Sequence, residues 1–229
     1  MLNVSDLNVF YGESHTIYDA SFTLGDTDAL AVIGRNGVGK TTLLKSIMGI
    51  LPSRSGTVRL NGTVLSNLQS YERVRAGLAF VPQGRLIFPY LTVEENILTG
   101  MTHLAKQQIP EYIYTFFPVL KEMRRRRGGN LSGGQQQMLA IARALVSEPK
   151  VLILDEPTEG IQPSIIKELA QSLKKLRQEL KFAILLSEQV LSFALEVADK
   201  FAVLDRGRVV YENERAKVDM DTIKAFLTV

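Results

Sequence analysis

Leu30-Ala-Val-Ile-Gly-Arg-Asn-Gly-Val-Gly-Lys-Thr41 joins a short apolar run to a glycine-rich loop ending in lysine and threonine. Residues 30–33 have the length and unbroken apolar character of a strand buried on both faces. Gly34, Arg35, Asn36, Gly37, Val38, Gly39, Lys40 and Thr41 then fit G-x-x-x-x-G-K-[ST] at every fixed position, with Thr42 directly after. Beyond them Leu43, Leu44, Ile47, Met48 and Leu51 fall on one helical stripe, and Pro52 is the expected stop. A strand, a glycine loop and a helix N-terminus in that order make an anion cradle. Glycines let backbone N–H groups close around phosphate oxygens, and the helix adds partial positive charge. In such a loop Lys40 reaches the β and γ phosphates of a nucleotide, and the Thr41 hydroxyl can ligate Mg²⁺.

Far downstream, Val151-Leu-Ile-Leu-Asp155-Glu156 places two carboxylates at the end of a second buried run. Open α/β sheets bind ligands at the carboxyl ends of their strands. Asp155 is therefore a candidate for the Mg²⁺ shell, and Glu156 for orienting or deprotonating an attacking water. Taken alone, the dipeptide also suits a strand ending in solvated acids. A helix at 164–180, carried by Ile165, Ile166, Leu169, Leu173, Leu176 and Leu180, separates this strand from further strands at 182–186 and 201–204. That alternation implies an α/β fold with a parallel sheet covered on both faces. Asp205-Arg-Gly-Arg208 reads as a closing hairpin turn.

Upstream, β-type stretches dominate, with Asn61-Gly62 as a tight hairpin turn between them. Between Gly84 and Pro149 the β signal fades and Gln, Tyr, Lys and Arg become frequent, which predicts a mostly helical insertion. The chain thus divides into a nucleotide-binding core with a β-subdomain (1–83 and 149–229) and an inserted helical subdomain (84–148).

Composition narrows the classes. The 229 residues hold 45% hydrophobic and 22% charged residues, so the chain is far too apolar for disorder. Against 24 Asp and Glu stand 27 Lys and Arg, a formal charge of +3, too weak a field to imply a nucleic-acid partner. The absence of cysteine excludes disulfides, zinc knuckles and a thiol nucleophile, and makes the cytoplasm the simplest expectation. Residues 1–7 lack a signal-peptide pattern, and no apolar run approaches the ~20 residues that span a bilayer. Any membrane role is expected to be peripheral and the chain soluble in isolation.

Leu131, Ser132, Gly133, Gly134 and Gln135 open a helical pattern at Met138, Ile141, Ala142 and Leu145. Ser132 can cap that helix while the two glycines leave its N–H groups bare, a second candidate anion site. The same residues also suit an ordinary Ser-capped helix. In combination, the phosphate loop, Gln83, residues 131–135 and Asp155-Glu156 resemble an ATP-binding cassette (ABC) transporter ATPase, in that family's order and over essentially the whole chain. The resemblance implies a P-loop NTPase core with a mixed β-sheet, an N-terminal antiparallel β-subdomain and an inserted α-helical subdomain. It implies ATP and Mg²⁺ as ligands and ATP hydrolysis as activity. It makes Tyr11 the adenine-stacking aromatic, Gln83 a link between Mg²⁺ and the membrane partner, and Gln189 the residue in place of the family's switch histidine. Glutamine can hydrogen-bond a γ-phosphate but carries no charge. Residues 131–135 are then expected to act on the nucleotide of a second cassette, in a homodimer or a paralogous heterodimer. Two transmembrane permease subunits and, indirectly, an extracytoplasmic solute-binding protein complete the implied partners, at the cytoplasmic face of the membrane.

Finer resemblance points to the branched-chain amino-acid uptake group, on Pro82-Gln-Gly-Arg-Leu-Ile-Phe-Pro89 and Leu91-Thr-Val-Glu-Glu-Asn96. Within it, Arg35-Asn-Gly-Val38 and Thr158-Glu-Gly-Ile-Gln-Pro-Ser164 look most like the urea and short-amide permease subunit, with an amino-acid importer as the alternative. Soluble cassettes acting on ribosomes or DNA usually carry tandem cassettes or a long coiled coil, which 229 residues do not hold. Lys40, Asp155 and Glu156 argue against a regulatory module without turnover. The four arginines at 124–127 read as a solvated helix end. His15 and His103 read as surface or loop residues, and Phe116-Phe117 and Phe88 mainly as packing. Residues 86–90 could also form a surface for a membrane partner. The loop Gly25-Asp-Thr-Asp28 is unusual for the family.

Overall fold

The computed structural model describes residues 1–101 and 108–227. In chain order its elements are β1 (Leu2–Tyr11), β2 (Ser14–Leu24), β3 (Ala29–Ile33), α1 (Lys40–Ile47), β4 (Ser53–Leu60), β5 (Thr63–Val64), α2 (Ser70–Ala76) and β6 (Leu78–Val81). Next come α3 (Val93–Thr99), α4 (Glu111–Phe116), α5 (Pro118–Glu122), α6 (Gly133–Leu145), β7 (Val151–Asp155) and α7 (Pro163–Leu180). The chain continues with β8 (Ala183–Glu188), α8 (Leu191–Val197), β9 (Lys200–Asp205), β10 (Arg208–Glu214) and α9 (Met220–Leu227).

Two sheets form. The first is antiparallel, ordered β2-β1-β4-β5, and β1 alternates buried with less buried residues as a sheet with one covered face requires. Asn61 and Gly62 both take positive φ in the β4–β5 hairpin, as the dipeptide predicts. The second sheet is ordered β10-β9-β3-β8-β7-β6. Its pairs β9–β3, β3–β8, β8–β7 and β7–β6 are parallel, and only the closing β9–β10 hairpin is antiparallel. The sheet is therefore mixed, as expected.

Every residue of β3, β7 and β8 is buried, and successive side chains point into two different cores. Ala31, Ile33, Leu152, Leu154, Ile184 and Leu186 face the helices α6, α7 and α8 through Met138, Ile141, Leu173 and Phe193. Leu30, Val32, Ile153 and Leu185 face α1 and the antiparallel sheet through Leu43, Leu44, Ile47, Leu7 and Val9. Each such aliphatic side chain contributes roughly 1.5–3 kcal/mol on burial. That two-sided burial holds the loops at the strand ends in place.

Several details differ from the sequence expectation. Helix α1 ends at Ile47, because Gly49 at φ 75° turns the chain before Pro52 can act. Helix α7 starts at Pro163, one residue early, because proline suits a first helical turn. Its Leu180 is 38% exposed and leaves the apolar stripe. His15 lies half-buried on β2 rather than on the surface or in a loop, stacked 3.9 Å from Phe10 and tilted against Tyr18 at 3.7 Å. His103 lies outside the described residues. Phe117 is core, whereas Leu86, Phe88 and Tyr90 are exposed. The arginines at 124–127 are exposed after α5, as expected.

The unusual loop at 25–28 has a structural account. Asp28 pairs with Lys200 at 2.8 Å, and Arg177 donates to the Thr27 carbonyl at 2.8 Å while pairing with Asp199. Asp199 also accepts the Ala29 N–H at 3.0 Å. Burial opposes its charge, yet the Arg177 and Ala29 hydrogen bonds and the charges of Arg177 and Arg215 hold its carboxyl below the usual range. This network clamps the entrance of β3, the strand that leads into the glycine loop.

A second clamp lies at the far end of α1. Arg73, 4% exposed, donates to the carbonyls of Ser46, Ile47, Ser66 and Leu68. Two of these belong to the C-terminal turn of α1, where a cation is also favoured by the helix dipole. Arg73→Met should lower unfolding free energy by ~3 kcal/mol in urea titrations, because buried carbonyls lose their donors. A loss under ~1 kcal/mol would show that water replaces the guanidinium there.

Candidate functional site

Three strand ends build the site. β3 leads into the glycine loop, β7 ends at Asp155-Glu156, and β8, paired between them, ends at Ser187-Glu188 with Gln189 next. Glycine is required at two loop positions. A Cβ on Gly34 would stand 2.4 Å from the Leu204 carbonyl oxygen, and Gly39 enters α1 at φ 110°, a conformation side chains resist. Lys40, 5% exposed, turns back over the loop and donates to the carbonyls of Gly34 at 2.8 Å and Arg35 at 3.0 Å. Its ammonium also stands 3.0 Å from Glu156 Oε1. Val38 packs on the core beneath, and its carbonyl accepts the Gly207 N–H at 2.9 Å. Arg35 points away and donates to the Phe226 carbonyl at 3.1 Å.

Asp155 is 2% exposed. Its Oδ1 accepts the Thr41 hydroxyl at 3.1 Å and the Ser187 hydroxyl at 2.7 Å, whereas Oδ2 is buried with no partner. Burial pushes this carboxyl above the usual range, with the Glu156 charge adding to it, against the hydrogen bonds from Ser187 and Thr41 and the charge of Lys45. A buried anionic oxygen without a donor is costly. With the Thr41 hydroxyl beside it, the arrangement fits a hard divalent cation such as Mg²⁺, which takes one or two protein oxygens and keeps several waters.

Glu156 takes a positive φ of 46°, and its N–H is held by the Ser187 carbonyl at 3.2 Å and hydroxyl at 3.0 Å. Its side chain gathers the rest of the expected site. Oε1 accepts Gln189 Nε2 at 2.9 Å, and Oε2 accepts Gln83 Nε2 at 3.4 Å. Gln189 also donates to Asn36 Oδ1 at 2.6 Å, which ties the β8 end to the glycine loop. Asn36, Lys40, Gln83 and Glu156 border a cleft of about 340 Å³, lined also by Tyr11, Thr16, Gly37, Gly39, Thr41 and Thr42. Tyr11, at the end of β1, is half exposed at its mouth.

Residues 131–135 lie elsewhere. Ser132 is the N-cap of α6 and accepts the Gln135 N–H at 3.4 Å, while Gln135 Oε1 accepts the Ser132 N–H at 2.9 Å. Leu131 and Gly134 are buried, and a Cβ on Gly134 would stand 2.6 Å from the Ile165 side chain. None of the five lines the cleft. The site thus unites Tyr11, Gln83, the glycine loop, Asp155, Glu156 and Gln189, and leaves residues 131–135 on another face.

Three contributors were not read from the sequence: Ser187, Glu188 and Thr16. Ser187 holds both acids because it stands opposite Asp155 in the β7–β8 register. Glu188, 2% exposed, accepts the Gln189 and Val190 N–H groups at 2.7 and 2.9 Å through Oε1 and the Thr158 hydroxyl at 2.9 Å through Oε2. Burial pushes its carboxyl up, opposed by these three donors and reinforced by the charge of Glu156. A polar run closing an apolar strand was the available signal.

Known proteins resemble this chain in sequence and in fold. The ABC transporter family matches residues 17–159. A high-affinity branched-chain amino acid transport ATP-binding protein, BraG, of Pseudomonas aeruginosa is 39% identical, covering 94% of each chain. A probable branched-chain amino acid transport ATP-binding protein, LivF, of Archaeoglobus fulgidus is 40% identical over 92% of this chain and 91% of its own. The solved structure of an ATP-binding subunit of an ABC transporter superposes with a TM-score of 0.84 at 26% identity over the whole of both chains. The chain therefore belongs to the ABC transporter family, as an ATP-binding subunit with ATPase activity.

Proposed function

We propose that this chain powers a branched-chain amino-acid importer, binding ATP in the cleft at the ends of β3, β7 and β8 and hydrolysing it there. The observation that carries the reading is one cleft lined by Tyr11, Lys40, Thr41, Gln83 and Glu156, with Asp155 bonded to Thr41 and Gln189 to Glu156 behind them. The solute rests on the names of BraG and LivF. These favour the amino-acid alternative over urea or short amides, for which the compared proteins offer no support.

In this reading Lys40 and the loop N–H groups from Gly34 to Thr42 hold the β and γ phosphates, and Tyr11 stacks on adenine. Thr41, Asp155 and Gln83 would hold Mg²⁺, which would supply positive charge against the phosphates. Glu156 orients the attacking water and accepts its proton at a carboxylate oxygen. Gln189 keeps that carboxylate aimed and offers an uncharged donor toward the γ-phosphate, which suffices for positioning. Leu131, Ser132, Gly133, Gly134 and Gln135 act on the nucleotide of a second cassette, whose own loop completes the first site. The exposed Leu86, Phe88 and Tyr90 lie shortly after Gln83 and meet one of two transmembrane permease subunits. The chain works peripherally, at the cytoplasmic face of the membrane; no described helix is long and apolar enough to cross one. A solute-binding protein acts only through the permease.

Three outcomes test this. Purified with its permease subunits and solute-binding protein in vesicles, the chain should hydrolyse ATP faster with leucine, isoleucine or valine than without. Stimulation by urea alone would overturn the solute assignment.

Glu156→Gln keeps the side-chain shape but removes the base. ATP should bind with near wild-type affinity while phosphate release falls by roughly 10²–10⁴-fold. Turnover near the wild-type rate would move proton acceptance to another group.

Ser132→Arg should leave ATP binding by the monomer intact and abolish ATP-driven dimerisation, seen by size-exclusion chromatography. Mixing it with Lys40→Ala should restore part of the hydrolysis, since one of the two shared sites then carries neither defect. Normal hydrolysis by Ser132→Arg alone would reduce residues 131–135 to a capped helix.

A further inference from the structure

Strand β8 runs apolar through Ala183, Ile184, Leu185 and Leu186 and then places three polar residues in succession, two of them on fully buried strand positions. Each of the three engages the end of β7 or the loop that follows it. Ser187 donates to Asp155 and holds the Glu156 N–H, and Gln189 donates to Glu156. Glu188 lies between them and receives the Thr158 hydroxyl, two residues beyond Glu156. A buried carboxylate in this strand is costly to desolvate, and a leucine would fill a strand end at no such cost. The cost is offset by three donors that use both oxygens, two from the backbone of the turn carrying Gln189 and one from the Thr158 loop.

We propose that Glu188 is a positioning residue for ATP hydrolysis: it fixes the backbone of Gln189 and ties that turn to Thr158, so that Gln189 Nε2 reaches Glu156. The chemistry supports this division of labour. Gln189 is a flexible side chain that must serve both Asn36 at 2.6 Å and Glu156 at 2.9 Å, and a charged histidine is not there to find its partner by Coulomb attraction. Its reach therefore depends on where its backbone sits. The Glu188 Oε1 atom accepts the N–H of Gln189 itself and of the next residue, which leaves that backbone little freedom. Through Oε2 the same carboxylate makes the position of Gln189 depend on the loop at Thr158. That loop continues to Glu159, whose carbonyl accepts Arg85 at 2.8 Å, so the connection extends to the segment after Gln83. Glu188 does not line the cleft and acts only through these neighbours.

The inference rests on the hydrolytic roles proposed for Glu156 and Gln189, and the test separates the two. Steady-state ATPase assays on the full chain should show Glu188→Ala lowering kcat by ~10–100-fold while KM for ATP changes less than ~3-fold, because misaimed groups cost turnover rather than binding. Glu188→Gln should recover kcat to within ~3-fold of wild type, since an amide oxygen still accepts the two N–H groups and its NH₂ can donate to Thr158. Thr158→Val, which removes one hydroxyl and keeps the shape, should lower kcat in the same direction by less, and it carries the test if Glu188→Ala does not fold. The deciding readout is a double-mutant cycle: Glu188→Ala in a Gln189→Ala background should cost almost nothing more. Losses that multiply, or wild-type kcat in Glu188→Ala or Thr158→Val beside an impaired Gln189→Ala, would overturn the role of Glu188 alone. Wild-type kcat in Gln189→Ala would instead overturn the reading beneath it.

Discussion

Parallel pairing of β3, β8 and β7 brings three carboxyl-terminal strand ends to one edge of the sheet, and the residues just beyond those ends build the cleft. The pairing is sustained by burial on both faces, with alternate residues of each strand committed to opposite cores. Slipping one strand by a single residue would exchange those commitments and turn every apolar side chain to the wrong core. The register that places Asp155 opposite Ser187 is thus enforced by hydrophobic packing far from any polar group. Polar geometry at the ends is inherited from apolar order in the middle.

Within the cleft the electrostatics are closely balanced. Lys40 is the ammonium at its centre, with Glu156 3.0 Å away and Asp155 bonded to the neighbouring Thr41. Two carboxylates so near one another are poorly solvated, and burial raises the protonation tendency of Asp155. A polyanionic ligand accompanied by a divalent cation suits such a site, because the cation satisfies the buried carboxylate while the anion engages the lysine and the loop N–H groups. Glu156 carries Gln189 on one oxygen and Gln83 on the other. The positive φ of Glu156 is held by two hydrogen bonds from its N–H to Ser187, a local strain of the kind that gathers at reacting centres.

The face presented by residues 131–135 obeys a different rule. Gly134 is required by its contact with Ile165, and Ser132 and Gln135 close a capping box, so the start of α6 is fully built as a helix end.

Much of this was legible in the chain itself. Continuous apolar runs at 30–33 and 151–154 identify buried parallel strands, because only strands covered on both faces lack alternation. The glycine loop, Lys40, Thr41 and the two acids are local in sequence, since each depends on a few adjacent backbone positions. Tertiary structure alone decided the rest. Ser187, Glu188 and Gln189 act on residues some thirty positions earlier, and which strand lies beside β7 is set by the packing of the whole sheet. The loop at 25–28 looked anomalous until Asp28 met Lys200 and Thr27 met Arg177, partners more than a hundred residues away. His15 read as a surface or loop residue because its ring contacts with Phe10 and Tyr18 depend on strand pairing that periodicity does not specify. Local backbone chemistry is written in adjacent residues, whereas side-chain partnership is written in the register of elements that only the folded core brings together.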